Sequence, residues 1–382
     1  MSGKRGGVRP DDETRHWYGR ESMLAYLLIL PALTIFGVFV YYPFVDNFRQ
    51  GFYSSNPANP SLQSYVGFSQ WRDVLDLDHL GGDLLQGAVL GVLAVLLVVA
   101  SRLLRARFVP RVGVTRPRGL ALVRRVLPMW LMFTAIIGIG VFAFSSTDDR
   151  GFAHSLEITF IFWMLIVPPT IILGLLVAVL GHRVIPGIGI FRTLFMMSLA
   201  TGVGVAGTIF FTLLNPQVGL LPWLGINTNP PPLQNQTWAL LAVAVFVWWL
   251  ELGSAFIFLS AGLQNIPDQL YEAALVDGAG PFRRFFRITI PMLSPMLVFV
   301  FILGSILGLV QSFPIIDITT GGNPVHRTET LAWLIVETTR GTSQDYGRAA
   351  VLSVALFFLA FALTLVQLTF LERRVTYGEG QR

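Results

Sequence analysis

The stretch YEAALVDGAGPFRRFFRITIP (residues 271–291) is the most polar long segment in the second half of an otherwise apolar chain. Pro267 favours a helix start just before it, and Gly278 and Gly280 favour a stop within it. Pro281 then favours the first turn of another helix. The stretch therefore predicts a helix, a turn and a second short helix.

The composition indicates the class of protein. Of the 382 residues, 53% are hydrophobic and 13% are charged, and the mean hydropathy is +0.64. So much apolar surface requires a bilayer as the main solvent, which predicts an all-α polytopic membrane protein. The sequence has no Cys and its five His are scattered, so no metal site is expected. Lys4 is the single lysine, which excludes a GxxxxGK phosphate loop and a catalytic lysine within the membrane.

Eight apolar runs have the length of about 20 residues that a spanning helix needs. They lie near residues 23–45, 84–103, 126–145, 157–180, 193–214, 238–262, 291–313 and 350–371. The first run is too long for a signal peptide and lacks a small-residue cleavage site, so it predicts a retained helix.

The basic residues predict the orientation in the membrane. With both termini in the cytoplasm, 21 of the 27 Lys and Arg residues lie on the cytoplasmic side and 6 on the outer side, as the positive-inside rule requires. Residues 263–290 then lie in the cytoplasm. The net charge of +5 reflects this topology rather than nucleic-acid binding. Arg almost wholly replaces Lys, which is typical of a GC-rich bacterial genome, so we expect the bacterial inner membrane.

Aromatic and basic residues alternate in the second half of the opening stretch. Three Phe and three Arg residues are interleaved there: Phe282, Arg283, Arg284, Phe285, Phe286 and Arg287. Such an amphipathic segment suits either the inner leaflet of the membrane or a hydrophobic groove on a partner protein. The residues alone leave both interpretations open.

The spacing of the stretch resembles the EAA motif of the membrane subunits of binding-protein-dependent ABC importers. That motif reads EAA, three residues, G, nine residues and I-x-L-P. The chain matches it at residues 272–274, Gly278, Ile288 and Pro291, with Ile290 in place of the Leu. The segment GLQNIPDQLYEAALVDGAG resembles the carbohydrate-uptake subgroup. FPIIDITTGGNPVHRTETL and VQLTFLERRVTY resemble permeases of the maltose and glycerol-3-phosphate type.

The resemblance implies that residues 263–290, here called the EAA loop, form a coupling helix that docks into a cleft of a cytoplasmic ATPase. The implied coupling residues are Tyr271, Glu272, Ala273, Ala274, Asp277, Gly278, Phe282, Arg283, Phe285, Phe286, Ile288 and Pro291. It implies no catalytic residue and no cofactor here, because ATP and Mg bind the partner ATPase. Expected partners are a second permease subunit, two ATP-binding-cassette ATPase subunits, an extracytoplasmic substrate-binding protein and membrane lipids, and not nucleic acid.

The resemblance also divides the chain into a type I ABC importer permease core of six helices and an inserted two-helix hairpin, eight transmembrane helices in all. The expected segments are a cytoplasmic tail (1–22), the first core helix with an external loop (23–79), an inserted transmembrane hairpin with an Arg-rich cytoplasmic loop (80–148), five further core helices that include the EAA loop (149–371), and a cytoplasmic tail (372–382). The Arg-rich loop suits a topology anchor on anionic lipid or, alternatively, a docking surface for a regulator.

Glu251 lies in the middle of the apolar run FVWWLELGSAF, where an ionisable side chain is costly and indicates function. In the sugar-transporting relatives the substrate site lies about midway across the two helices that enter and leave the EAA loop. The implied substrate path contains Trp248, Trp249, Glu251, Ser254, Gly304, Gly308 and Gln311. Aromatic faces and polar acceptors suit a polyhydroxylated ligand. Alternatively, Glu251 pairs with an Arg or a backbone group of a neighbouring subunit. A negative Glu251 also argues against an anionic substrate.

These features predict the permease subunit of an ABC importer for a carbohydrate or related polyol, such as a sugar, an oligosaccharide or glycerol phosphate, and not an enzyme. The alternative is a proton-coupled secondary transporter that uses Glu251. A purely structural membrane protein would not need the EAA spacing.

Overall fold

The computed structural model describes residues 11–56, 59–75, 151–182, 187–226, 228–340 and 344–371. The helices in these ranges are α1 (Asp11–Phe36), α2 (Tyr42–Gln50), α3 (Ser69–Leu75), α4 (Phe152–Gly181), α5 (Ile188–Ala200), α6 (Val203–Leu213), α7 (Leu220–Trp223), α8 (Ala239–Gln264), α9 (Asp268–Val276), α10 (Pro281–Arg284), α11 (Ile290–Met292), α12 (Ser294–Val310), α13 (Ser312–Thr319), α14 (Leu331–Thr339) and α15 (Tyr346–Leu371). Single π-helical segments join α1 to α2 (Gly37–Tyr41) and α10 to α11 (Phe285–Thr289), and a 3₁₀ turn covers Pro232–Gln234.

The described helices account for most of the predicted spans. Four of them are long and apolar enough to cross a membrane, and two sharply bent pairs raise the number to six if each pair counts once. These six correspond to six of the eight apolar runs. The remaining runs, 84–103 and 126–145, and the predicted hairpin 80–148 lie outside the described residues, so the count of eight stays a prediction.

The predicted span 193–214 is not one straight helix, which corrects the sequence interpretation. Its two halves, α5 and α6, meet at 103°. Thr201 and Gly202 between them adopt extended backbone, with ψ of 120° and 140°. This conformation interrupts the hydrogen bonding of each amide to the carbonyl four residues earlier, which a continuous helix requires. The apolar run correctly predicts two helical segments but not the break.

A short β-hairpin lies in the predicted external loop after α2, within an otherwise helical membrane-protein fold. Strand β1 (Tyr53–Asn56) pairs antiparallel with β2 (Asn59–Tyr65). Tyr53 lies opposite Tyr65, and their ring centroids are 5.5 Å apart. Aromatic pairs across two strands stabilise such a hairpin. This pairing across the loop is a signal that a search for apolar runs does not detect.

The central contact of the core is between α4 and α8. A Cβ atom added at Gly174 of α4 would lie 2.6 Å from the Cβ of Ala255 on α8. Small residues at both positions let the helix backbones approach closely, as is typical of membrane proteins. The largest buried cluster lies along the same two helices, and in it Trp163 of α4 and Phe246 of α8 are each 1% exposed. This pair of helices fixes the frame on which the other spans pack.

Two further buried clusters extend the core towards opposite ends of α4. One contains Phe256, Leu259 and Leu293, and it lies beneath the EAA loop. The other joins the start of α4 to α14 and α15 through Leu331 and Val351, which are fully buried. The EAA loop is therefore attached to the end of α4 that lies away from α14.

Candidate functional site

A small cavity lies where α4, α6, α8, α12 and α13 meet. Its walls include Thr170, Glu251, Ser254, Gly304, Gly308 and Gln311. About 50 Å³ of its space can be occupied by water, whereas pockets for small ligands usually enclose about 300 to 1,000 Å³. In this conformation the cavity has room for a few water molecules, and a sugar would enter only after the walls separate.

Glu251 supplies the acidic group of this cavity. It is half-buried and lies in the middle of α8. The Ser254 hydroxyl lies 3.0 Å from the Glu251 carboxylate oxygen Oε2 and 2.8 Å from the Glu251 backbone carbonyl, so one proton is shared between two acceptors. Among the described residues, no Arg or His forms an ion pair with this carboxylate. Within those residues, the position of Glu251 thus rests on Ser254 and on burial.

Thr170 is a cavity residue that the sequence analysis missed. It follows Pro168 and Pro169 in α4, its side chain is 7% exposed, and its hydroxyl has no hydrogen-bond partner among the described residues. A Thr in an apolar run resembles any other helical Thr, so only the packing of α4 against α8 and α12 reveals that it belongs to the cavity wall. The Pro-Pro-Thr sequence is the signal that could have drawn attention to it.

Trp248 lies outside the cavity wall and has a different contact. A helical amide normally donates to the carbonyl four residues earlier, but Pro169 has no N–H and leaves the carbonyl of Leu165 without that donor. The indole Nε1 of Trp248 donates to this carbonyl at 2.7 Å. Trp248 therefore replaces a hydrogen bond that the proline removes, and it links α8 to α4 beside the cavity.

Trp249 also lies outside the cavity wall. Its side chain is 47% exposed, and its ring stacks on that of Phe246, with centroids 6.3 Å apart. It therefore lies on a face of α8 that points away from Glu251. Of the seven residues predicted for the substrate path, the structure brings five together in one cavity and places the two Trp residues elsewhere.

The EAA loop folds as a helix, a turn and a second helical segment, as predicted. Pro267 precedes α9 and Asp268 lies in its first turn. Gly278 then reverses the chain with φ +68°, a left-handed conformation that a β-branched residue rarely adopts. The following segment is α10, a π-helical stretch and α11. Gly278 thus ends the first helix, as the sequence predicts.

One face of the EAA loop packs on the core, and the other carries exposed apolar side chains. Tyr271 donates to or accepts from Thr289 at 2.9 Å and, with Ile288, packs on the cluster around Phe256. Seven of the predicted coupling residues are exposed, namely Glu272, Ala273, Asp277, Gly278, Phe282, Arg283 and Phe286. The remaining five are partly buried, namely Tyr271, Ala274, Phe285, Ile288 and Pro291.

The exposed apolar face includes residues that the sequence analysis did not single out. Val276 is 90% exposed and Leu275 is 55% exposed, beside Phe282 at 80%. Leu275 and Val276 lie at the end of α9, just before the turn at Gly278. Large apolar side chains in such a cluster are typical of a surface that contacts a partner or lipid.

Residues 121–377 match the family described as the inner membrane component of binding-protein-dependent transport systems. The chain belongs to this family. The match begins inside the predicted hairpin 80–148 and includes both the cavity residues and the EAA loop. It makes the chain a multi-pass permease of the inner membrane, as the sequence resemblance implied.

Two similar permeases of this family are proteins of the sn-glycerol-3-phosphate transport system, named UgpA. The protein from Agrobacterium fabrum is 36% identical over 245 residues, which is 63% of this chain and 83% of the relative. The protein from Yersinia enterocolitica is 36% identical over 234 residues, which is 60% of this chain and 78% of the relative. The similarity thus covers most of each relative.

Solved structures agree with the fold of such a permease. A chain from a bacterial ABC transporter involved in the import of the acidic polysaccharide alginate superposes with a TM-score of 0.53 at 20% identity, and the match covers 68% of this chain and 97% of that one. A chain from a bacterial alginate ABC transporter in complex with a pentasaccharide-bound periplasmic protein gives 0.54 at 18% identity, with the same coverage. At this identity the likeness supports the fold alone.

Proposed function

We propose that this permease forms half of the translocation pathway of an ABC importer for a carbohydrate or related polyol, and that its EAA loop couples the pathway to a separate ATPase. One observation carries the proposal: the loop joins two of the helices that line the cavity. Glu251 lies on α8, which enters the loop, and Gly304 and Gly308 lie on α12, which leaves it. A displacement of the loop therefore moves two cavity walls together.

The exposed face of the EAA loop supports the docking of an ATPase. Val276 and Phe282 are almost fully exposed, and the segment between them turns sharply at Gly278. Apolar side chains on a short projecting element suit a hydrophobic groove on a protein partner. The same loop carries Glu272 and Arg283, which suit the polar rim of such an interface.

The working unit that we propose contains this chain, a second permease subunit, two ATPase subunits, and an extracytoplasmic binding protein. ATP-driven closure of the ATPase dimer would bring the two coupling loops together and open the cavity to the binding protein. Hydrolysis would reverse the movement. ATP and Mg would be held by the ATPase, and this chain would supply the moving walls.

The orientation that we propose places both termini and the EAA loop in the cytoplasm. The excess of Lys and Arg on that side supports it. The hydrogen-bonded segment between α13 and α14 would then lie on the outer side, where Ser312 contacts Thr330 at 3.1 Å and the Thr159 hydroxyl accepts from Leu331 N at 2.8 Å. In this orientation the bonds would hold the outer end of the pathway against α4.

The choice of a carbohydrate or polyol rests on the cavity and on the relatives. A carboxylate, an amide and hydroxyl groups line the cavity at Glu251, Gln311 and Ser254. Such groups can replace the water that a polyhydroxylated ligand loses. The named relatives transport sn-glycerol-3-phosphate, which is a phosphorylated polyol.

Reconstitution tests this proposal. The chain, its partner permease, the ATPase subunits and the binding protein are placed in proteoliposomes, and uptake of labelled sugars and glycerol phosphate is followed with and without ATP. We expect uptake that requires ATP and is insensitive to an uncoupler. Uptake that persists without ATP and collapses with the uncoupler would refute the proposal.

A further inference from the structure

Among the described residues, the cavity wall carries an acidic side chain and no basic one. Its polar side chains among the described residues are Thr170, Glu251, Ser254, Gln311 and Ser312, and no Arg, Lys or His lies in its described wall. A phosphate or carboxylate ligand needs cationic or N–H donors to replace its hydration. When it is ionised, the Glu251 carboxylate repels such an anion.

Thr170 supplies a second, independent observation. Its side chain is more than nine-tenths buried, it lines the cavity, and its Oγ1 has no hydrogen-bond partner among the described residues. Of the buried side-chain oxygen and nitrogen atoms without a partner in those ranges, this is the one whose residue lines the cavity. Buried hydroxyls are normally hydrogen-bonded, so an unpaired one on a residue of the cavity wall is suited to a ligand hydroxyl once the walls separate.

The Glu251 carboxylate on α8 and the Thr170 hydroxyl on α4 offer complementary hydrogen bonds to a ligand. The Glu251 carboxylate can only accept hydrogen bonds when it is ionised, and one of its oxygens already receives the Ser254 hydroxyl. The Thr170 hydroxyl can donate or accept. A sugar hydroxyl can likewise donate to Glu251 while another accepts from Thr170, whereas an ionised phosphate offers mainly acceptors.

We infer that this cavity selects an uncharged, hydroxyl-rich ligand and rejects anionic ones, with Thr170 and Glu251 as the residues that determine this specificity. The inference rests on the proposed function and narrows it, because it excludes glycerol phosphate. It separates this chain from the substrate for which its relatives are named.

The test uses the purified complex of this chain with its partner permease and ATPase subunits, without the binding protein. Equilibrium binding is measured with two matched pairs of labelled probes, glycerol against sn-glycerol 3-phosphate and glucose against glucuronate. We expect a neutral probe to bind at millimolar concentration at least about tenfold more tightly than its anionic partner, which corresponds to about 1.4 kcal/mol.

Variants assign the preference to the two residues. Glu251→Gln keeps the side-chain shape and removes the charge, so it should reduce the discrimination against the anion about tenfold. Thr170→Val should weaken binding of the neutral probe about fivefold, and Thr170→Ser should restore it. Thr34→Val is the matched control, because Thr34 is exposed on α1 and bonds the Leu30 carbonyl away from the cavity.

Three results would overturn the inference: an anion that binds as tightly as its neutral partner, no binding of either neutral probe at millimolar concentration, or unchanged preference in Glu251→Gln. If Thr170→Val binds the neutral probe as tightly as the unaltered protein does, Thr170 does not determine the specificity. The proposed function is judged separately by ATP-dependent uptake in proteoliposomes. A complex that transports sn-glycerol 3-phosphate with ATP would keep the proposed function and refute this inference.

Discussion

The EAA loop and the cavity depend on opposite arrangements of side chains. The loop is one continuous segment, and its apolar residues Val276 and Phe282 point away from the protein. The cavity is assembled from five helices, and the polar residues Thr170 and Glu251 belong to its wall. A single segment with an exposed apolar face is completed by another molecule, whereas the cavity wall is completed by the chain's own long-range packing.

The largest effect should come from the turn of the loop. Gly278→Val places a β-branched residue at φ +68°, which costs at least about 1 to 2 kcal/mol and redirects α9. We expect ATP-dependent uptake to fall to background while the chain still inserts into the membrane. Gly280→Val is the matched control, because Gly280 has φ −66° and also has open space around it. Equal loss of uptake in both variants would contradict the role of the turn.

The exposed face should affect assembly more than folding. Phe282→Ala removes a ring that is 80% exposed, so we expect the affinity for the ATPase subunits to fall about thirtyfold. Trp223→Ala is the control, because Trp223 is an equally exposed aromatic residue far along the chain from the loop. Co-purification of the ATPase measures both. If both variants retain the ATPase equally, the loop face interacts with lipid instead.

On the cavity side, Trp248 should contribute to stability rather than to ligand binding. Trp248→Phe removes the N–H that satisfies the Leu165 carbonyl, and the unpaired, partly buried acceptor costs about 1 to 2 kcal/mol. We expect a lower thermal unfolding temperature and an unchanged dissociation constant for the bound probe. Trp249→Phe should leave both unchanged. A change in probe affinity without a loss of stability would show that Trp248 contributes to the substrate path, as the resemblance implied.

The smallest effect concerns the inner face of the loop. Tyr271→Phe removes the hydrogen bond to the Thr289 hydroxyl, a loss of about 0.5 to 1.5 kcal/mol. We expect a small reduction in uptake, and the double variant with Thr289→Val should be no worse than either single variant. Additive losses would show that the two hydroxyls act independently.

The sequence by itself determined the local features of this protein. The length of the apolar runs identified a polytopic membrane protein. Pro267, Gly278 and Pro281 determined the helix, turn and second helix of the EAA loop. Each of these signals acts over a few residues, because a proline fixes φ and a glycine permits a positive φ wherever they occur. The EAA spacing likewise identified the family without any knowledge of packing.

The tertiary structure alone decided which side chains meet. Glu251 and Ser254 are one helical turn apart and could be paired from the sequence, whereas Thr170 joins them only because Gly174 lets α4 approach Ala255 on α8. The same approach brings Trp248 to the Leu165 carbonyl, which has no helical donor because Pro169 lacks an N–H. Trp248 therefore bonds to α4 and does not line the cavity. A helix in a bilayer is apolar on all sides, so its sequence carries little signal of which face meets lipid and which meets another helix. That choice is made by the packing of whole helices.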